Sequence, residues 1–338
     1  MRRHGRADDI DRHRHPIPAR RHDGEGEAGP RDPSLMRGSP ANRILGVTHT
    51  APAFEVPRNA CDSHTYVFGP DDKFPFSPKR LYTPGPASME DLEALHRTLH
   101  VDRVVVVHPS PYGADNSCTV DAVRKLGHRA RGIAVIDDTI NDRALANMHA
   151  SGIRGVRVNL ESYGESDPTV AARHLQQAVQ RVTHFGWHVQ TYTNLGILEA
   201  LYETILALPT RLVVDHFGRP QAARGTTQPG LEQFLALLRS GRVYVKISAA
   251  YRISQEPDYA DAALIARATI DANPERVVWG TDWPHPGAAK RDPAVIEPFR
   301  PEDDGAALNR LAGWTKTRTE LQKILVDNPA RLYQFQQT

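Results

Sequence analysis

Along the chain, short apolar runs rich in β-branched residues alternate with longer stretches whose apolar positions recur every three or four residues. The runs are "NACDSH" (59–64), "RVVVVH" (103–108), "RGIAVI" (131–136), "GVRVNL" (155–160), "HVQTYT" (188–193), "RLVVDH" (211–216), "VYVKIS" (243–248) and "RVVWGTD" (276–282). They are nearly continuous in apolar residues, the pattern of parallel strands covered on both faces. Between them, "SMEDLEALHRTLH" opens with Ser88 placed to cap a helix and sets Leu92, Leu95 and Leu99 on one face. "DPTVAARHLQQAVQRVTHFG" closes on Gly186, while "NLGILEALYETILALP" and "DYADAALIARATIDANP" stop at Pro209 and Pro274. Eight strand–helix units joined by right-handed crossovers predict an α/β fold, a (β/α)8 TIM barrel over residues 51–338. A doubly wound open sheet is the alternative, but no G-x-G-x-x-G opens a helix after the first strand.

The first 50 residues lack this periodicity. "MRRHGRADDI" and "RRHDGEGEAGPRDPSLMRGSP" are polar and rich in Gly and Pro, so residues 1–50 read as a disordered extension rather than a secretory signal. Its His4, His13, His15 and His22 are taken as part of a solvated tail rather than a metal site. Over all 338 residues the formal net charge is only +2, with no basic stripe of the kind nucleic acid needs. No apolar run approaches the roughly 18 residues of a membrane span. Cys61 and Cys118 form no C-x-x-C pair and read as free thiols of a reducing, cytoplasmic setting, one long-range disulfide being the alternative. Oligomeric state, including a homo-oligomer, is left open.

The barrel reading has a chemical consequence, because barrel sites form at the C-terminal ends of the strands. Polar residues stand there on nearly every run: His64, Ser110, Arg157 and Asn159, Gln190 and Tyr192, Asp215 and His216, Lys246 and Ser248, and Asp282. So many buried polar groups without partners would be costly unless they formed a site. In "VVDHFG", His216 ends strand six and Asp215 faces the other way, where its plain reading is a helix cap. In "WGTDWPHP", Asp282 is framed by Trp279 and Trp283, which predicts a poorly solvated carboxylate with a raised pKa, suited to a general base. Arg157 and Arg252 suit a carboxylate-bearing substrate, the alternative for each being a structural acid. The loop "HPSPYGADNS" offers Ser110, Tyr112 and Asn116 as hydrogen-bonding groups, and Ser110 lacks the G-x-S-x-G setting of a nucleophile. Tyr82 is placed on a loop over the mouth, and His188 starts strand five as either a substrate contact or a core residue.

Taken in order, "DSHTYVFGP", "HPSPYGADNS", "GIRGVRVNL", "VVDHFG", "SAAYRIS" and "WGTDWPHP" resemble the amidohydrolase superfamily, specifically amidohydrolase family 2 and its branch of 2-pyrone-4,6-dicarboxylate lactonase-like hydrolases. The resemblance runs from about Ala60 to "ILVDNPARLYQF". It implies a distorted (β/α)8 barrel and hydrolysis of a lactone without a metal. Asp282 would activate water, with His64 and His216 near the lactone carbonyl. Arg157, Arg252, Tyr82 and Ser110 fall where that branch binds substrate. Two departures stand out. Tyr66 replaces the second histidine of the strand-one pair that many superfamily members use for metal. "NLESYG" offers Glu161 and Tyr163 where the branch carries a further arginine.

The expectation is therefore a hydrolase of a carboxylated or polar lactone, a small-molecule enzyme of aromatic-compound or sugar-acid breakdown. Tyr66, Tyr112, Asn116, His188 and Tyr192 join the candidate substrate contacts. No cofactor is favoured. The alternatives are a metal-dependent amidohydrolase or aromatic-acid decarboxylase, holding zinc or manganese on His64, His216 and Asp282, and a barrel that binds a small anion without turnover.

Overall fold

A computed structural model describes residues 42–287 and 290–336. Eight strands form one parallel sheet in sequential order: β1 (Cys61–Thr65), β2 (Arg103–Val107), β3 (Ala130–Ala134), β4 (Ile153–Asn159), β5 (His188–Tyr192), β6 (Leu212–Val214), β7 (Val243–Ile247) and β8 (Val277–Trp279). Around them lie α1 (Met89–Leu99), α2 (Ser117–Leu126), α3 (Asp142–Ala150), α4 (Pro168–Val182), α5 (Leu195–Ala200), α6 (Tyr202–Ala207), α7 (Leu231–Arg239), α8 (Ala262–Ala272) and α9 (Asp304–Trp314). The sheet curls into a nearly closed barrel of the amidohydrolase type.

Local chemistry explains the elements. In α1, Ser88 Oγ accepts from Asp91 N at 3.1 Å and Asp91 returns a bond to Ser88 N at 3.0 Å, so two amides that the helix leaves unpaired are satisfied together. Leu92, Leu95 and Leu99 are fully buried, each contributing about 1.5–3 kcal/mol of apolar burial. α4 gives way to a tight turn at Thr183–Phe185, and Gly186 ends it at φ 66°, as its sequence position predicts. The segment expected as one helix before Pro209 is two, α5 and α6, because Leu201 leaves the helical region at φ −98°, ψ 13°.

The barrel closes where it also becomes polar. β8 is too short to form a ladder with β1, and the residues that follow it complete the seam. Asp282 N donates to His64 O at 2.9 Å, and Tyr66 N donates to Trp283 O at 2.8 Å. Gly280 permits this approach, since a Cβ there would lie 2.7 Å from His64 N and Cβ.

The disordered extension expected over residues 1–50 lies outside the described residues as far as residue 41. Residues 42–50 are a correction to it: Arg43–Ile44 pairs with Val47–Thr48, Ile44 and His49 are buried, and Thr50 N donates to Asp303 Oδ1 at 2.8 Å. Among the described residues no helix is long and apolar enough to cross a membrane. Cys61 and Cys118 are free and buried.

Candidate active site

The C-terminal ends of the strands carry the candidate chemistry, on backbone that is locally strained. His216, Phe217, Gly218 and Arg219 have successive φ values of 49°, 59°, 75° and 56°, and Asp282 has φ 72°. Left-handed non-glycine residues cost on the order of 1 kcal/mol or more each and persist where surrounding packing over-determines them. Here the turn after β6 sends both His216 and Arg219 toward the mouth.

His64, His216 and Asp282 meet beneath the floor of an open cavity, all three with no exposed surface. Asp282 Oδ1 lies 3.5 Å from His64 Nε2 and 3.6 Å from His216 Nε2. The other oxygen, Oδ2, accepts from Tyr251 Oη at 2.6 Å and from Arg252 Nη2 and Nε at 2.7 and 3.1 Å. His216 Nδ1 is fixed by Ser248 Oγ at 2.8 Å, and His64 Nε2 by Tyr66 Oη at 2.8 Å.

The expectation of a raised Asp282 pKa is overturned. Burial pushes it up, but the Arg252 guanidinium, then His216 and His64, and the Tyr251 hydroxyl outweigh burial and hold it well below the usual carboxylate range. Its electrostatic neighbours are a guanidinium and a phenol donor rather than the two indoles that flank it in sequence. Asp282 is thus ionised at neutral pH. Burial holds both histidines low, with Lys246 adding to the effect at His64, so both are neutral there.

A second layer lies inside the barrel. Asp215 does not cap a helix; it is fully buried, accepts from Gln190 Nε2 at 3.0 Å, and stands 3.3 Å from His64 Nδ1 and 3.5 Å from Arg157 Nε. Burial pushes its carboxyl up, but His64, Lys246 and Arg157 bring it well below the ordinary range. Lys246 Nζ donates to Gln190 Oε1 at 2.7 Å and lies 3.3 Å from His64 Nδ1; burial lowers its pKa to about 8. Two charged side chains therefore back the imidazole from within.

The cavity above, about 820 Å3 with its mouth included, is lined by Tyr66, Tyr82, Ser110, Arg157, Tyr192, His216 and Arg252 among others. Tyr82 is buried and its hydroxyl meets Ser110. Three sequence candidates do not line it. Tyr112 packs on Phe76 and accepts from Gly69 N at 3.1 Å. Asn116 staples its loop to the end of β3, donating to Val135 O at 2.7 Å and accepting from Val135 N at 2.9 Å. His188 opens β5 at the opposite end of the strand and stands edge-on to Tyr333. Conversely, Tyr251, Gln190, Lys246, Arg219 and Glu161 belong to the site or its support without having been assigned a role from sequence. For Gln190 and Lys246 the available signal was a polar residue inside an otherwise apolar strand.

The donor set fits a single divalent cation. His216 Nε2 and Asp282 Oδ1 are buried with no hydrogen-bond partner, and one ligand atom from each of His64, His216 and Asp282 lies within 4.8 Å of the other two. A guanidinium on the same carboxylate and the Lys246 ammonium behind His64 oppose a dication there.

Comparison with known proteins matches residues 10–335 to the family described as Amidohydrolase. A 2-pyrone-4,6-dicarboxylate hydrolase of Comamonas testosteroni is 38% identical over 83% of this chain and 92% of its own length. A 4-sulfomuconolactone hydrolase of Hydrogenophaga intermedia is 34% identical over 83% of this chain and 90% of its own length. Among solved structures, a probable 2-pyrone-4,6-dicarboxylic acid hydrolase from Acinetobacter baumannii with citric acid bound superimposes with a TM-score of 0.69 at 26% identity, covering 82% of this chain and all of that one. A near-complete family match, relatives above one-third identity and a barrel whose seam carries the polar cluster together make this chain a member of the amidohydrolase family.

Proposed function

We propose that this protein hydrolyses a carboxylated or otherwise polar lactone, with Asp282 taking the proton of the attacking water. The observation that carries the reading is the unpartnered Asp282 Oδ1, ionised and facing both imidazoles at the cavity floor. His64 and His216 lie where they can stabilise the oxyanion that develops on the lactone carbonyl. Arg157 and Arg252 orient the substrate carboxylate, and Tyr82, Ser110 and Tyr192 shape its surroundings. Arg252 has two roles in this scheme. At rest it holds Asp282 Oδ2 and weakens the carboxylate as a base; a substrate carboxylate that draws the guanidinium toward itself strengthens the base. The names of the two curated relatives, both lactone hydrolases, support the reaction class. The free, buried cysteines support a cytoplasmic setting.

A second reading, favoured by the two orphaned donor atoms, is a metal-assisted hydrolase or decarboxylase with zinc or manganese on His64, His216 and Asp282. A bound cation would supply Lewis-acid polarisation or a more acidic water. One experiment separates the two: turnover of a lactone panel by wild type and Asp282→Asn, with metal content measured on tag-free protein before and after chelator. The expected outcome is lactone opening that survives chelation and falls about a thousandfold or more in kcat/KM on Asp282→Asn. Undiminished turnover by the variant overturns the role of Asp282, and stoichiometric metal with chelator-sensitive activity establishes the second reading.

A further inference from the structure

Three guanidiniums surround the Tyr192 ring. Arg157, Arg219 and Arg252 lie 5.8, 5.6 and 5.6 Å from its centroid, delivered by β4, the turn after β6 and the turn after β7. Such a cluster attracts anions, but the three members differ in what already occupies them. Arg252 is bound to Asp282 through two nitrogens. Arg219 donates Nη1 to Tyr192 Oη at 2.6 Å and sets Nε 3.4 Å from Glu161 Oε1. Arg157 is buried, its Nε has no hydrogen-bond partner, and Asp215 Oδ2 stands 3.5 Å away. A fourth guanidinium, Arg291, lies exposed at the rim, where solvent screens it, and donates to Ser162 O at 3.3 Å.

Glu161 is not a loose surface acid. Its second oxygen accepts from Asn194 Nδ2 at 3.1 Å, and its turn is held by Asn159 Oδ1, which accepts from Ser162 N at 3.0 Å. Three strand-end segments thus hold one carboxylate against Arg219 at the cavity wall, since Glu161 and Arg219 both line it. A carboxylate set against a guanidinium is the arrangement that a substrate carboxylate would itself adopt.

We propose that Glu161 is a specificity-determining residue: its carboxylate fills the anion position offered by Arg219, so the cavity takes lactones with one anionic group, held at Arg157 and at Arg252 Nη1, whose bond is a long 3.4 Å contact to Tyr192 Oη, and rejects those with a second anion on the Arg219 side. The proposal rests on the lactone reading of the same site. It follows from charge matching. Asp215, Asp282 and Glu161 balance three of the positive groups around the cavity and beneath it, and a second substrate anion would meet Glu161 rather than an open arginine.

The test uses the full-length protein and two lactones with the same ring, a 2-pyrone with one carboxylate and a 2-pyrone with two. Wild type is expected to favour the monocarboxylate at least tenfold in kcat/KM. Glu161→Gln is expected to raise the dicarboxylate-to-monocarboxylate ratio ten- to a hundredfold, chiefly through the dicarboxylate KM. The gain should vanish in Glu161→Gln/Arg219→Met, because the freed guanidinium is what captures the second anion. Equal use of both lactones by wild type, or an unchanged ratio in Glu161→Gln, overturns the proposal. If wild type opens neither ring, the lactone reading is what has failed for these compounds, and calorimetric binding of the same two acids then decides. A tenfold or larger shift of the affinity ratio toward the dicarboxylate in Glu161→Gln supports the anion position, and no shift overturns it.

Discussion

Among the described residues two buried clusters each join two histidines and an aspartate, and only one of them has the makings of a reactive centre. In the first, the unpartnered His216 Nε2 and Asp282 Oδ1 face each other beneath the cavity, with His64 Nε2 3.5 Å from the same oxygen. In the second, His285 Nε2 lies 3.2 Å from both carboxylate oxygens of Asp304, and His49 Nδ1 accepts from Asp304 N at 3.2 Å. Here the imidazoles join separate segments: the 42–50 hairpin, the loop after β8 and the first turn of α9. Gly305 next to Asp304 allows the approach, since a Cβ there would fall 1.6 Å from Thr50 O. The electrostatics diverge accordingly. Burial lowers His285, but Asp304 more than restores it, so its pKa ends raised. Burial wins at His216, which stays neutral. The same residue types give a tie in one place and a candidate site in the other, and the difference lies in where the donors point and what faces them.

The strongest contrast comes from the two aspartates. Asp282→Asn should remove turnover while the protein stays folded. Asp304→Ala should do the reverse, costing on the order of 1–3 kcal/mol because it removes the carboxylate that ties His285 and leaves a buried imidazole without its partner. Urea unfolding monitored by fluorescence measures this. Full stability with lost activity in Asp304→Ala would place the second cluster within the reacting site.

pH separates the clusters next. His285, with its raised pKa, contributes stability that is fully present below the unfolded value of 6.5 and lost as pH rises through its folded value. The buried neutral histidines act in the opposite sense. Burial lowers His108 to about 4 and His188 to about 3, so below pH 6.5 the unfolded chain takes up protons that the native chain refuses. Stability should therefore fall between pH 6.5 and 4, by on the order of 3 kcal/mol for His108 alone. Thermal melts across pH should show loss on both sides of a maximum, and Asp304→Ala should flatten the alkaline side only. A profile flat below pH 6.5 would contradict burial of these imidazoles in the neutral form.

The smallest effect is expected at Tyr66. Tyr66→Phe removes one hydroxyl from His64 Nε2, a loss of about 1 kcal/mol, and steady-state kinetics should show a three- to tenfold drop in kcat/KM. A drop as large as that of Asp282→Asn would move Tyr66 from supporting His64 to taking part in the reaction.

The sequence by itself determined the frame. Eight near-continuous apolar runs can only be strands covered on both faces, and Ser88, Gly186, Pro209 and Pro274 mark helix ends through backbone constraints that act within a few residues. Because barrel strands deliver their last residues to one rim, the positions of His64, His216, Arg157, Arg252 and Asp282 near strand ends were also legible. What only the tertiary structure decided was which charges meet. Lys246 backs His64 from 182 positions away, Arg252 lies against Asp282 across the turn after β7, and Glu161 faces Arg219 from two strands earlier. Tyr112, Asn116 and His188 have the right chemistry but face amides and aromatic rings away from the cavity. Local sequence sets φ, ψ and which face of an element is apolar. The protonation and partners of a buried group depend on every charge within a few ångströms, and in a barrel those charges come from strands far apart along the chain.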